Sequence, residues 1–575
     1  MGGHRHGSHT RAGVGHNHSF PHMSNLSYPE DRISSTAGLQ LLCDSTMHRS
    51  DGRLRCLTSH VCAASAAVPA PVLPTTGLRM RKATRGNSLL TDFTLKVAAP
   101  LDTGFAPYVL AKRNYLAACA KAKGGGAGYT RTLFVAILRQ NGLVNRLEFP
   151  VFPSADVHFN DSLLYAFFTI MFAICQKGGF KVMLCGPSDI CSELQAEFSL
   201  AGAASFPVDL MTQVYDRAFE VVRVARNQLP DHKEDFETIG LDVTGNRLSF
   251  DLGKSDFKVV ACIDGEPTYH SENEWDIYQT DPNYHYDIVL AEMQKAAETL
   301  PSVDSVGGST AGVPIKNDCV WNDCFPRVTR DDFQRVCLPF FKNLARSFGD
   351  VPLKVMNDGE VTAVAGVQML EQQTPGCTKG KGTFGISMGS NCGAGYMLPT
   401  GDDGVPRHPG WLNELWTAPV DFSPDAWECF FTAQDMIGMS SMCFGQQAAC
   451  KLIEPAGLRE QISADDLPQH QLLELQRLMA EGSATEVSAA AQIYETIGVY
   501  LGYATAQYRE FYDFNYFLIL GRVTKGKGGD IILEKARKVL AAEFAELEVE
   551  YVIPTEEMKG IGQCVAAAAM PEVQA

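Results

Sequence analysis

Apolar and polar positions fall into regular periods from about residue 96 onward. Residues 132–139 and 145–152 alternate with period two on either side of Asn141-Gly142, a pairing that predicts a β-hairpin. The spacing then predicts a helix over 161–177, a strand over 180–185, a helix from Ser188 and a strand over 219–225. These make a small α/β unit ending near Arg226, followed by a polar, acidic linker, NQLPDHKEDFETIG. A second pattern opens at about Leu241. Runs at 248–252, 257–264 and 266–270 predict a meander, followed by a helix over 286–299 and the strand and loop VDSVGGSTAGVP. A helix over 329–348 leads to a strand over 353–356 that ends at Asn357-Asp358. After a Gly/Thr/Pro-rich connector come a glycine-rich hairpin, a long helix over 489–508, the run NYFLILGRVTKGKGGD, a helix to Ala542 and a last strand over 547–553. The segments divide at 1–95, 96–228, 229–240, 241–378 and 379–575, and the fold class is α/β.

Composition narrows this picture. A chain of 575 residues is too long for one core. The longest apolar stretch, 163–175, stops at Gly178-Gly179, short of the roughly 18 residues that a membrane span needs, and reads as a buried core helix. A net charge of −17 argues against a nucleic-acid footprint. The 17 cysteines show no CxxC and no zinc half-site, which points to buried free thiols in a reducing compartment. Residues 1–95 are rich in Arg and Ser, poor in acids, and carry six His before position 23. They read as a transit peptide, an adventitious metal-binding tract or an unstructured tail. The expected location is soluble and intracellular: cytoplasm, or plastid or mitochondrion if the leader is a transit peptide.

Four features carry chemistry. In FDLGKSDFKVVACIDG the Gly/Ser turn exposes backbone N–H groups that can hold phosphate oxygens. Gly253 allows close approach, Ser255 offers a hydroxyl, Lys254 or Lys258 a charge, and Asp251 can hold Mg²⁺ through water. The same turn is also what an ordinary hairpin needs. In GTFGISMGSNCGAGYML, Gly389, Ser390, Asn391, Gly393 and Gly395 form a second loop with more glycine than a turn requires. Asn357 with Glu360 fits a helix capping box, while Asp358 fits a general base that takes the proton of a hydroxyl attacking a γ-phosphate. In GWLNELW, Glu414 suits a hydroxyl acceptor and Trp416 a stacking surface for a sugar ring, or else Trp411 and Trp416 are core anchors.

DLGKSDFKV, NDGEVTAVAG, SMGSNCGAG and LILGRVTKGKGG resemble, in order, the first phosphate, catalytic, second phosphate and adenosine motifs of ROK proteins. That family of sugar kinases and sugar-sensing repressors belongs to the actin-like ATPase superfamily. The likeness covers about residues 241–569 and is nearest to a longer branch with an extra N-terminal domain. It implies two RNase H-like lobes, 241–378 and 379–575, behind the small α/β domain and a disordered leader. It also implies Asp358 as base, Asn357 and Glu414 as sugar ligands, Gly307, Gly308 and Ser309 near the sugar, and Gly521 and Arg522 beside the nucleotide.

The departures from the family pattern matter. Trp416-Thr417 stands where the family has Gly-His, and its cysteine-rich zinc motif is missing, so no zinc site is expected. Lys254 and Arg522 replace glycines of the phosphate loops, where they either supply charge or block the nucleotide. The resulting expectation is an ATP- and Mg²⁺-dependent kinase of a sugar or sugar-like hydroxyl compound. The alternative is a non-catalytic sensor of carbohydrate or nucleotide on the same fold. The expected partner is a small sugar-like molecule, not nucleic acid or membrane, with self-association left open.

Overall fold

The computed structural model describes residues 88–124, 130–423, 440–553 and 556–572. The leader up to residue 87, with its transit-peptide reading, lies outside them. Residues 88–95, counted with the leader in the sequence, are packed: Leu90 is buried and Ser88 Oγ donates to Asp161 Oδ1 at 2.5 Å. Helix α1, Tyr108–Gly124, follows.

The first sheet has the order β2-β1-β3-β4, formed by β1 (Arg131–Leu138), β2 (Val144–Val151), β3 (Lys181–Cys185) and β4 (Glu220–Arg223). The β1–β2 turn is the expected Asn-Gly turn, with Asn141 at φ 58° and Gly142 at φ 70°, a left-handed pair these two residues tolerate. Helix α2, Phe159–Lys177, covers the sheet and is almost wholly buried, as its unbroken apolar run requires. Among the described residues it is the one helix long and apolar enough to cross a membrane, and 83% of that stretch is buried. Helices α3 (Ser188–Glu197) and α4 (Ser205–Tyr215) complete the unit. Its core also takes in Val313 and Phe422 from the two lobes that follow.

A two-residue strand, β5 (Glu237–Thr238), leads into the first lobe. There β6 (Asn246–Leu252), β7 (Asp256–Ile263) and β8 (Glu266–Glu274) form an antiparallel meander. After helix α5 (Pro282–Ala297), strand β9 (Ser305–Thr310) pairs parallel to β6, and β12 (Leu353–Asn357) parallel to β9, giving the order β12-β9-β6-β7-β8. A meander extended by two parallel strands is the sheet of an RNase H-like lobe. Between β9 and β12 lie a small hairpin, β10 (Gly312–Ile315) and β11 (Asp318–Asn322), then short helices α6 (Arg330–Asp332) and α7 (Phe340–Arg346). One continuous helix was expected over 329–348. A wider turn, Phe333–Cys337, interrupts it just ahead of Pro339, which lacks the N–H that would continue the ladder.

Helix α8, Asp358–Gln373, runs from the end of β12 into the second lobe. That lobe repeats the plan in reduced form. Strands β13 (Thr383–Met388) and β14 (Cys392–Met397) make an antiparallel hairpin, with β16 (Tyr516–Leu520) parallel to β13 and β17 (Glu550–Val552) parallel to β16. The fold is therefore α/β with two lobes of actin-like ATPase type. Strand β15 (Arg407–His408) pairs with β5. The long helix Ala484–Arg509 starts at a Ser483/Glu486 capping box and packs on Lys527–Glu543 over the second sheet. The C-terminal helix, Glu556–Ala569, returns to the first lobe, where Ala568 and Cys564 pack on Val260 and Cys262.

Candidate catalytic cleft

The two hairpin turns, the start of α8 and the Glu414 loop converge on one cleft of about 220 Å³ between the lobes. Asp251, Gly253, Lys254 and Ser255 line it from the first lobe, and Gly389, Ser390, Asn391, Gly393, Gly521 and Arg522 from the second. Asn357, Asp358, Glu414 and Trp416 form its floor and back wall. Gly308 and Ser309 correct the expectation, for they lie inside β9 and do not reach the wall, which Ala311 and Gly312 supply instead. A Cβ on Gly307 would fall 1.8 Å from Ala567 O, and one on Gly308 would fall 2.3 Å from the Phe250 ring. These two glycines serve packing, and Ser309 Oγ donates to Asp251 Oδ1 at 2.6 Å.

Cap and carboxylate coexist at the start of α8. Asn357 Oδ1 accepts from Gly359 N at 2.9 Å, while its Nδ2 donates to Gly312 O at 2.9 Å, tying the helix start to the β10 hairpin. Asp358 beside it is half-buried, and desolvation, reinforced by the Asp251 carboxylate, pushes its pKa up to about 7. Gln563 of the C-terminal helix donates to Asp358 O at 3.0 Å. Two glycines of the second loop are explained by this helix. A Cβ on Gly395 would sit 2.2 Å from Gly359 O, and one on Gly393 3.0 Å from Asp358 Oδ1. The surplus glycine therefore lets α8 lie against β14 and leaves room for the Asp358 carboxylate.

One end of the cleft is a network of ion pairs. Asp256, which the sequence did not single out, holds Lys258 through Oδ1 and receives Arg522 on Oδ2 at 2.7 Å, linking the lobes. Glu272 lies 3.6 Å from the same guanidinium. Asp251 Oδ2 is 4.0 Å from Lys258 Nζ. Burial opposes the Lys258 charge, but Asp251 and Asp256 outweigh it and hold the ammonium above its ordinary range. The positive φ of Gly521, 107°, turns the chain sharply after β16 and brings Arg522 to the mouth.

The other end holds buried carboxyls with open lone pairs. Burial pushes Glu414 up to about 8, with the Trp416 N–H opposing and Asp323 and Asp358 adding. Its Oε2 accepts from Trp416 Nε1, and its Oε1 has no hydrogen-bond partner. Asp323, also missed in the sequence, pairs with Lys254 at 3.0 Å, and its Oδ1 has no hydrogen-bond partner. Trp416 lines the cleft, its ring packs edge-on against Phe206 at 5.4 Å, and its N–H donates to Glu414 Oε2. Trp411 is an anchor, with Lys177 Nζ 4.0 Å above its ring.

Asp251 fits the carboxylate share of a Mg²⁺ site, since it faces the cleft where phosphates would supply the remaining oxygens. Among the described residues no group of three or more His, Cys, Asp or Glu is arranged to hold a metal. Cys443 is buried, and Cys429 lies outside the described residues.

No protein-family model matches the chain, and no curated protein matches it. Solved structures do. A ROK family glucokinase from Streptomyces griseus, in complex with glucose and AMPPNP, is 16% identical over 56% of this chain and 98% of that one, with TM-score 0.43. A putative sugar kinase from Cytophaga hutchinsonii is 13% identical over 56% and 98%, with TM-score 0.40. A ROK hexokinase from Thermus thermophilus is 16% identical over 56% and 97%, with TM-score 0.38. At such identities and scores, any functional reading rests on the cleft's own residues.

Proposed function

We propose that the protein transfers the γ-phosphoryl group of ATP to a hydroxyl of a sugar or sugar-like compound. The observation that carries this is Asp358, a half-buried carboxyl poised near neutrality between two phosphate-type turns and beside the partnerless oxygens of Glu414 and Asp323. Buried acceptors without donors are costly, and a ligand rich in hydroxyl groups satisfies them. The ordered motif set resembling ROK proteins supports the same reading.

In this mechanism Glu414 and Asp323 accept hydroxyl hydrogen bonds and orient the acceptor. Asp358 takes the proton of the attacking hydroxyl as its oxygen bonds to the γ-phosphorus and the bond to ADP breaks. A raised pKa suits that task, because the carboxylate is available near neutral pH yet basic enough to hold the proton. Backbone N–H groups of the turns after Leu252 and Met388 cradle the phosphates, with Lys254, Lys258 and Arg522 supplying charge. Mg²⁺, bound through Asp251, would neutralise developing charge on the phosphoryl oxygens. Asn357 acts through the helix it caps.

A second reading has one observation in its favour: Arg522 bridges the lobes to Asp256 across the donor turns, where it can bar a nucleotide. On that reading the protein is a sensor without turnover. The full chain with ATP, Mg²⁺ and a panel of hexoses, hexosamines and polyols should form a sugar phosphate, read by phosphorus NMR. ATP binding without product from any acceptor overturns the kinase and leaves the sensor.

A further inference from the structure

We infer that the N-terminal α/β unit braces the acceptor site from behind its wall, with Gln176 the positioning residue that sets Glu414. This rests on the acceptor role proposed for Glu414. A helix leaves its last carbonyls without partners inside the helix. At the C-terminal end of α2 the site loop takes them up: Asn413 N donates to Gln176 O at 2.8 Å and Glu414 N to Cys175 O at 3.1 Å. The Gln176 side chain, fully buried, returns the contact, its Nε2 donating to Glu414 O at 3.2 Å. Its Oε1 lies 2.9 Å from the Tyr512 hydroxyl, which is also 3.1 Å from Asn413 Oδ1.

The chain therefore meets Glu414 from both sides. Asn413 sits at φ 52°, a left-handed conformation that side-chain and backbone bonds must hold in place. Thr417 Oγ1 donates to Glu414 O at 2.7 Å from within the loop, and Phe206 of α4 packs on Trp416. Lys177, the residue after Gln176, caps the Trp411 ring and is paired with Glu234 at 2.9 Å. Three consecutive residues at the end of α2, Cys175 to Lys177, thus act on the loop that aims a buried carboxyl into the cleft. The unit that carries α2 has no residue on the cleft wall, so its influence runs through this brace.

Gln176→Met keeps the volume and removes both side-chain bonds, and Tyr512→Phe keeps the ring and removes the hydroxyl. Lys181→Ala, on an exposed ion pair of the same unit, is the control. In the full chain, without ligand, the amides of Asn413 and Glu414 should exchange with deuterium about tenfold faster in both variants and unchanged in the control. The KM for the best acceptor of the hexose panel should rise about tenfold, while the KM for ATP stays within about twofold. Unchanged exchange at Asn413 and Glu414, or equal losses toward acceptor and ATP, overturns the brace. Should the unaltered chain phosphorylate no acceptor, the kinase reading fails, and exchange at these two amides alone decides this one.

Discussion

Asp358 and Glu414 are poised in the same sense by the same force. Burial raises both, so the neutral forms are favoured in the folded chain. A general base must be ionised, hence kcat/KM should fall as pH drops through about 7. Asp358→Asn should abolish turnover, by on the order of a hundredfold or more, while calorimetry finds acceptor and ATP affinity retained. Stability follows the linked sign. The folded constant lies above the unfolded one, so the native state binds more protons between about pH 4 and 7 and loses stability as pH rises through that window. Asp358→Asn should therefore raise Tm at pH 8 and leave it nearly unchanged at pH 4. A Tm gain at pH 4 as large as at pH 8 would contradict the burial argument. Glu414→Gln should weaken acceptor binding and raise Tm at alkaline pH.

At the scale of elements, the start of α8 carries most of the geometry. Asn357→Ala removes the cap and the tie to Gly312, at a cost of about 1–2 kcal/mol, whereas Asn357→Asp keeps the Gly359 bond and should cost less. Urea titration separates the two. Gly395→Ala would place a methyl 2.2 Å from Gly359 O, against backbone that cannot swing aside. We expect a loss of about 1–3 kcal/mol and a displaced Asp358, seen as a lower urea midpoint together with lost turnover. A Gly395→Ala chain with ordinary stability would remove helix packing as the reason for the glycine.

For the whole molecule, the Arg522–Asp256 pair joins the lobes across the donor turns, and Asp256 also holds Lys258. Two of the three cations that phosphates would recruit, Lys258 and Arg522, are engaged by one carboxylate. Asp256→Asn should release them and tighten ATP binding severalfold, while Arg522→Ala should weaken it; calorimetry at low and high salt reads both. If both substitutions shift ATP affinity the same way, Arg522 is not traded between carboxylate and phosphate.

Much of this was legible in the chain because it is local. The Asn141-Gly142 turn, the meander after Leu241, the strand ending at Asn357 and the two glycine turns each announce themselves within a dozen residues, through period and turn chemistry. Their order along the chain sufficed to expect one cleft with Asp358 between two loops. What the sequence left open depends on contacts between distant segments. Asp256 and Glu272 are ordinary acids until the lobes face each other and bring Arg522 to them, and Asp323 is one until the first lobe folds Lys254 against it. Gly307 and Gly308 read as site residues because their packing partners, Ala567 and Phe250, are far away in the chain or hidden by alternation. Gln176 is silent for the same reason, since its partners Glu414 and Tyr512 lie 238 and 336 residues on. Hydrophobic period and turn chemistry set each element by itself; which buried polar atom finds a partner, and which is left facing the cleft, is decided only once the elements pack.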